Sequence, residues 1–84
     1  MRDDVKVYGA ERCEDTQATL YHLDSLGVQH RFIDIDQDPD AMAWVVQQNG
    51  GKQVTPTLDV QGQILSVPDE PRLEDILRAK GLMG

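Results

Sequence analysis

Two spacings of apolar residues divide this chain into strands and helices. Short segments that are β-branched, aromatic or alternate polar with apolar predict strands, and they cover residues 5–8, 30–35, 57–60 and 63–66. Apolar residues three or four positions apart predict helices. The three stripes of this kind are Leu20, Leu23 and Leu26; Met42, Val45 and Val46; and Leu73, Ile76 and Leu77. The predicted order of elements is β-α-β-α-β-β-α.

Local signals set the ends of these elements. Asp38 followed by Pro39 is typical of a helix start, because the carboxylate caps free N–H groups and proline suits the first helical position. Asp69 is predicted to cap the last helix in the same way. The Gln61-Gly62 pair lies between the last two strands and predicts a hairpin turn. Glycine follows each stripe and ends the helix.

The order of elements predicts an α/β fold. A strand-helix-strand unit gives parallel strands with a right-handed crossover, whereas the final hairpin adds antiparallel strands. We therefore expect a four-stranded mixed sheet in the order 2-1-3-4, flanked by three helices. Helices one and three should cover one face and helix two the other. At 84 residues the chain is expected to form a single domain over residues 1–84.

Composition narrows the possible functions. The net charge of −7 argues against nucleic acid, which is bound largely through Lys and Arg contacts to phosphate, and against anionic membranes. Charged residues at positions 2, 3, 4 and 6 interrupt any leader-like apolar run, and no stretch is long enough to span a membrane. One free thiol without a secretion signal indicates a reducing compartment. We expect a cytoplasmic monomer.

Cys13, the single cysteine, lies where the first strand meets the first helix. Ligands of α/β sheets bind at such carboxyl ends of strands, and a helix N-terminus lowers the pKa of a thiol. Arg12 would add to this effect, whereas the like charge of Glu14 and Asp15 would oppose it. A small residue packed as a hydrophobe is the alternative explanation. Position alone leaves both explanations open.

The remaining polar residues suggest no metal site. His22 and His30 are expected at exposed helix and strand-edge positions without a catalytic role. Aspartates alternate over residues 34–40, but this segment lacks the glycine and the bidentate glutamate of a calcium loop. No zinc-ligand spacing is present either. Pro56 directly precedes a strand, and on local grounds alone a trans peptide bond is expected there.

Taken together, three segments resemble the glutaredoxin branch of the thioredoxin fold, and within it the small mycoredoxin-like proteins. These segments are Cys13-Glu14-Asp15-Thr16, the stretch NGGKQVTPTLDVQGQ at residues 49–63, and LSVPD at residues 65–69. The resemblance implies that Pro56 is cis, that its loop faces Cys13, and that the Thr55 backbone pairs with a bound thiol. It implies Cys13 as the catalytic residue, with a substrate-binding set of Arg12, Thr16, Val54, Thr55, Pro56 and Asp69.

The chain departs from the family pattern at several of these positions. Thr16 stands where a second cysteine is usual, so an internal disulfide is impossible. The usual Thr-Val-Pro is permuted to Val54-Thr55-Pro56, and Arg12 replaces an aromatic residue before the cysteine. The usual Gly-Gly-x-Asp becomes Ser-Val-Pro-Asp at residues 66–69, which retains the capping role of Asp69.

The resemblance implies a monothiol oxidoreductase that reduces mixed disulfides between proteins and a small thiol. One cysteine suffices, because exchange requires only an attacking and a leaving thiolate. Glutathione, mycothiol or bacillithiol would be the co-substrate, and no bound cofactor is expected. Two alternatives remain: a redox-inactive module that binds an extended peptide beside Pro56, and an iron–sulfur carrier, although the Cys-Gly-Phe-Ser signature of such carriers is missing.

Overall fold

The computed structural model describes residues 4–84 and confirms the predicted order of elements. The strands are β1 (Val5–Gly9), β2 (His30–Asp34), β3 (Thr57–Val60) and β4 (Gln63–Ser66). The helices are α1 (Glu14–Ser25), α2 (Pro39–Gln48) and α3 (Glu70–Ala79). Both strands of the hairpin have the predicted bounds. The first strand extends one residue beyond its predicted end, and the second ends one residue earlier than predicted; Cys13, between β1 and α1, is the N-cap of α1. Within the described residues, no helix has the length and apolar character needed to cross a membrane.

The described strands form a four-stranded mixed sheet in the predicted order β2-β1-β3-β4. The pair β1 and β2 is parallel, with Val7 opposite Phe32. On the other side β1 is antiparallel to β3, with Val7 opposite Leu58, and β3 is antiparallel to β4, with Leu58 opposite Leu65. Because β1 lies between β2 and β3, the chain leaves its carboxyl end at an interior position of the sheet and not beside an edge strand.

Successive side chains along the strands point to opposite faces of the sheet and contribute to two apolar cores, one on each face. The first core joins β1, β3 and β4 to α1 and α3, and its fully buried members include Val7, Leu23, Leu58, Leu73 and Leu77. The second core lies under α2 and consists of Ile35, Ala41 and Val45, with Tyr8, Ile33, Met42 and Trp44 packed against it. The predicted division of helices between the two faces is therefore confirmed.

Helix α2 buries a stripe slightly different from the predicted one. Ala41 and Val45 are the buried residues, whereas Met42 and Val46 are half-buried. Trp44 stacks on Tyr8 with ring centroids 4.3 Å apart and an interplanar angle of 29°. Both aromatic rings pack against the second core, so the buried side of α2 is centred on Ala41 and Val45.

The caps and the hairpin turn follow the sequence signals. Asp38 accepts a hydrogen bond from the Ala41 N–H at 3.1 Å, and Asp69 accepts one from the Arg72 N–H at 2.9 Å. The turn residues Gln61 and Gly62 have φ of 50° and 94°, the left-handed conformation that a tight two-residue hairpin requires at both positions. The element boundaries are therefore set by local chemistry.

Replacing Leu23 with Ala tests the first core. This side chain is fully buried, so its truncation is expected to lower the free energy of unfolding by about 2–5 kcal/mol. Tyr21→Ala on the same helix is the matched control, because that side chain is 76% exposed and its loss should change stability by less than about 0.5 kcal/mol. Urea denaturation followed by circular dichroism measures both. Equal effects of the two variants would contradict the assigned helix phase.

Candidate active site

The fold places Cys13 at the carboxyl end of the central strand. Its backbone is extended, with φ −89° and ψ 117°, and it caps α1 without a side-chain cap hydrogen bond. The Cys13 N–H donates to the Ala10 carbonyl at 3.0 Å, and the Cys13 carbonyl accepts from the Gln17 N–H at 3.1 Å. These bonds fix the turn between β1 and α1, so the half-buried thiol lies beside the free N–H groups of the first helical turn.

Thr55 lies opposite the thiol, and the Thr55–Pro56 peptide bond is cis. The cis geometry implied by the family resemblance is therefore confirmed, whereas the trans bond expected on local grounds is wrong. The Thr55 hydroxyl donates to Cys13 Sγ at 3.3 Å, and Sγ lies 3.7 Å from the Thr55 carbonyl oxygen, to which the protonated thiol donates. The side chain of Pro56, the next residue, is fully buried and anchors the loop.

Hydrogen bonds lower the pKa of the Cys13 thiol below its ordinary value. The largest cause is a bond from the Thr16 hydroxyl, followed by the bond from the Thr55 hydroxyl. The backbone N–H groups of Thr16 and Asp15 add to the effect, and partial burial opposes it. The thiolate is thus stabilised by aligned donors, and it is available at a lower pH than that of an ordinary cysteine.

Charged neighbours contribute less than the sequence suggests. Arg12 was expected to stabilise the thiolate, but its guanidinium pairs with Asp36 through two 3.2 Å hydrogen bonds, and this pairing raises the pKa of Arg12. The Arg12 side chain is 68% exposed. Glu14 and Asp15 are exposed as well, so solvent screens their repulsion of the sulfur.

Thr16 lies beneath the thiol and is completely buried. Its hydroxyl oxygen accepts from the Ala10 N–H at 3.4 Å and can donate its own proton to the sulfur. The side chain also packs directly on Gly9: a Cβ at that glycine would lie 2.5 Å from Thr16 Oγ1 and 2.6 Å from Cγ2. Because Thr16 is buried, it cannot contact a substrate directly; it acts on the reaction by its hydrogen bond to the Cys13 sulfur.

The other predicted binding residues lie along the loop that precedes β3 and at the start of α3. Val54 is half-buried, and its carbonyl accepts a hydrogen bond from the Thr57 hydroxyl at 2.8 Å. Asp69 is exposed, and its carboxylate caps α3; among the described residues it makes no hydrogen bond to Cys13 or Thr55. The structure thus brings Cys13, Thr16 and Thr55 into direct contact, whereas Arg12 and Asp69 lie at the margins of the site.

Asn49, the first residue of the stretch 49–63 that carries the family resemblance, is a positioning residue behind the proline loop. Its amide nitrogen donates to the Val45 carbonyl at 2.7 Å and to the Thr57 hydroxyl at 3.1 Å. Its amide oxygen accepts from the Ser66 hydroxyl at 2.6 Å. One side chain therefore ties the end of α2 to both strands of the hairpin, directly behind the proline loop. In the sequence, the only indication of this role was an asparagine at the helix end directly before two glycines.

Val67 also acts on the site, a role that its sequence position did not indicate. It occupies a position where the family pattern has glycine, and its φ is +43°, a left-handed conformation that β-branched residues rarely adopt. Its N–H donates to the Pro56 carbonyl at 2.9 Å, and its side chain is 43% exposed. The hydrogen bond connects the entrance of α3 to the proline loop, and the strained backbone brings the valine to the surface.

A cleft runs between one face of α1, from its first to its last turn, and the start of α3. Its volume is about 270 Å³, and its lining residues are Asp15, Ala18, Thr19, His22, Val67, Pro68, Asp69, Glu70 and Leu73. His22 forms part of the wall, and its side chain is only 14% exposed. The side chain of His30 is also 14% exposed and lies 3.3 Å from an Asp24 oxygen. The expectation that both histidines are exposed is therefore wrong, because packing of the adjacent elements covers them.

The fold and this cysteine, threonine and cis-proline arrangement define a thioredoxin-fold protein with a single thiol at the active-site position. A sequence profile of the glutaredoxin family matches residues 5–65. The chain therefore belongs to the glutaredoxin family. Its one cysteine makes it a monothiol member, as the sequence predicts.

Individual relatives agree with this assignment. Mycoredoxin 1 of Corynebacterium glutamicum is 35% identical over 54 residues, which are 64% of this chain and 66% of that protein. The glutaredoxin of Archaeoglobus fulgidus has a TM-score of 0.75 at 21% identity and covers 90% of this chain and 87% of its own. A buckwheat glutaredoxin–glutathione complex has a TM-score of 0.76 at 20% identity, over 98% of this chain and 83% of its own. These structures establish the shared fold.

Thr55→Val tests the origin of the low thiol pKa. The substitution removes a donor that stabilises the thiolate, so the pKa of Cys13 should rise and less thiolate should be present at neutral pH. The alkylation rate with iodoacetamide, measured against pH, should therefore have its midpoint at higher pH. Thr19→Val on α1 is the control, because Thr19 makes no contact with the sulfur among the hydrogen bonds of the described residues. An unchanged midpoint in Thr55→Val would contradict the assignment.

A double-mutant cycle tests the contact between β1 and α1. Gly9→Ala alone should lower the free energy of unfolding by about 1–3 kcal/mol, because the added methyl group clashes with Thr16. Thr16→Ala removes the clashing atoms, so the double variant should lose less stability than the sum of the two single variants by at least about 0.5 kcal/mol. Urea denaturation of all four proteins gives the coupling energy. Simple additivity would argue against the contact.

Proposed function

We propose that this protein is a thiol–disulfide oxidoreductase that reduces mixed disulfides between proteins and a small thiol through Cys13. The observation that supports it most is the lowered pKa of a half-buried thiol in hydrogen-bond contact with Thr55, next to cis Pro56. A structural cysteine needs neither thiolate-stabilising donors nor an opening to solvent. The family and the name of the mycoredoxin relative agree with this function.

The reaction needs two exchange steps. The Cys13 thiolate attacks the small-thiol sulfur of a protein mixed disulfide, so that a Cys13–small-thiol disulfide forms and the protein thiolate leaves and takes up a proton. A second small thiol, as its thiolate, then attacks the small-thiol sulfur attached to Cys13. This step releases the Cys13 thiolate and forms the small-thiol disulfide, so one disulfide is consumed and one is produced.

Residues of the site act on these steps through hydrogen bonds. The hydroxyls of Thr16 and Thr55 stabilise the Cys13 thiolate before attack and again when it leaves. Loss of the thiol proton also frees the Thr55 carbonyl, which otherwise accepts from Sγ. That carbonyl oxygen lies 3.7 Å from the sulfur, and it can then accept a hydrogen bond from a backbone N–H of the bound thiol compound, as in strand addition. Arg12 at the rim and Asp69 at the α3 cap complete the proposed binding set with Val54 and Pro56.

The co-substrate is a low-molecular-weight thiol of the glutathione, mycothiol or bacillithiol type. Glutathione is the ligand of the structurally similar buckwheat glutaredoxin, whereas the relative with the higher sequence identity is a mycoredoxin. The partner is a protein that carries such a thiol on a cysteine. A reducing cytoplasm, where free thiols persist, is the proposed location.

Cys13→Ser is expected to abolish turnover completely, because serine cannot form the mixed disulfide. Reduction of peptide mixed disulfides with glutathione, mycothiol and bacillithiol, each with its own thiol as reductant, measures the activity. Tyr21→Ala, which changes an exposed side chain outside the site, should retain the wild-type rate. Absence of turnover by folded wild-type protein with all three thiols would reject the oxidoreductase and leave the peptide-binding module as the explanation.

A further inference from the structure

Three potential metal ligands converge at the rear of the cleft between α1 and α3. His22 comes from the last turn of α1, and Glu70 and Glu74 come from successive turns of α3. One ligand atom of each residue lies within 4.8 Å of the other two. His22 Nε2 lies 3.0 Å from Glu74 Oε2, and the other ring nitrogen, Nδ1, lies 3.9 Å from Glu70 Oε2.

The Nε2 atom of His22 is buried and makes no hydrogen bond to any of the described residues, although the Glu74 carboxylate is so close. Buried polar atoms are almost always hydrogen-bonded, so a buried imidazole nitrogen that has a carboxylate oxygen 3.0 Å away and yet makes no hydrogen bond calls for an explanation. A ligand atom in a tetrahedral metal site meets this condition: each neighbouring ligand lies only about 3–3.5 Å away but off the axis of the nitrogen lone pair, which points at the metal. The short contact without hydrogen-bond geometry matches such an arrangement.

We propose that His22, Glu70 and Glu74 bind a divalent transition metal of the zinc type, which links α1 to α3. Zinc accepts both imidazole nitrogen and carboxylate oxygen as ligands, and in open sites it takes three protein ligands and a water as the fourth. The cleft beside the site has room for that water. Calcium, by contrast, needs six to eight oxygen ligands, which this site does not offer.

Neighbouring groups hold the proposed ligands in place. Arg78 Nη2 donates to Glu74 Oε1 at 3.2 Å, which leaves Oε2 directed at His22. Glu70 and Glu74 are four residues apart and therefore lie on the same face of α3. Small movements suffice for binding, because the Glu70 side chain is 71% exposed and free to turn toward the metal.

The site is separate from the thiol. His22 lies nine residues after Cys13, which corresponds to about 13 Å along the axis of α1. The metal site can therefore be tested in a protein without the thiol, and its outcome does not depend on the proposed oxidoreductase activity. This separation matters because a free thiolate binds zinc itself.

The experiment uses tag-free Cys13→Ser protein titrated with zinc chloride in a calorimeter. Binding of one zinc per chain is expected, with a rise in the melting temperature of about 10–20 °C when zinc is present at 100 times its Kd. His22→Gln and Glu70→Gln, each in the Cys13→Ser background, should weaken zinc binding at least tenfold. Magnesium and calcium should leave the melting temperature unchanged.

The second histidine provides the matched control. His30 is equally covered and lies next to Asp24, so His30→Gln removes a histidine–carboxylate pair without touching the proposed site and should leave the zinc affinity unchanged. Glu70→Gln changes an exposed side chain, so its effect on binding is readable even if His22→Gln fails to fold. Absence of zinc binding in Cys13→Ser protein, or undiminished binding in Glu70→Gln, would mean that His22 and the glutamates form only an ion pair and would overturn the proposal.

Discussion

The close approach of Thr16 to Gly9 is the constraint on which the active site depends. The side chain of Thr16 occupies the volume that any Cβ at Gly9 would need, so α1 lies directly on the end of β1. This contact sets the height of the helix N-terminus above the sheet and thus the position of Cys13. The hydroxyl of Thr16 also donates a hydrogen bond to the Cys13 sulfur and lowers the pKa of the thiol. One buried residue therefore combines packing with electrostatics, and this explains why the position reserved elsewhere for a second cysteine can hold threonine.

Hydrogen bonds and not charged side chains prepare the thiol. The formal charges close to Cys13 in sequence are exposed or paired: Arg12 is bound to Asp36, and solvent screens Glu14 and Asp15. Aligned hydroxyl and amide donors lie at fixed positions and lose little strength to solvent. The thiolate is thereby stabilised within a protein whose net charge of −7 would by itself disfavour another anion.

The cleft between α1 and α3 is linked to the active site at one end and contains the proposed metal ligands at the other. Val67 keeps a left-handed backbone while its N–H holds the proline loop, so the entrance of α3 is coupled to the active site. Farther along the same cleft, His22 meets two carboxylates of α3. A metal at that point would restrain α1 against α3, the two helices that cover the larger core. The active site and the proposed metal site thus use opposite ends of one helix.

Local sequence chemistry determined the elements, their caps and the hairpin of this protein. Asp38-Pro39, Asp69 and Gln61-Gly62 act through neighbouring backbone groups, and short connections with a right-handed crossover leave few possible sheet orders, so these features were predictable. The resemblance to glutaredoxins added the cis proline and its place opposite Cys13. Tertiary structure decided the rest. Thr55 reaches the sulfur, Arg12 pairs with Asp36, and the His22 side chain is largely covered, because each contact joins residues that are distant along the chain or depends on which helix face packs inward. No local pattern encodes such distances, since they arise only when the helices pack on the sheet.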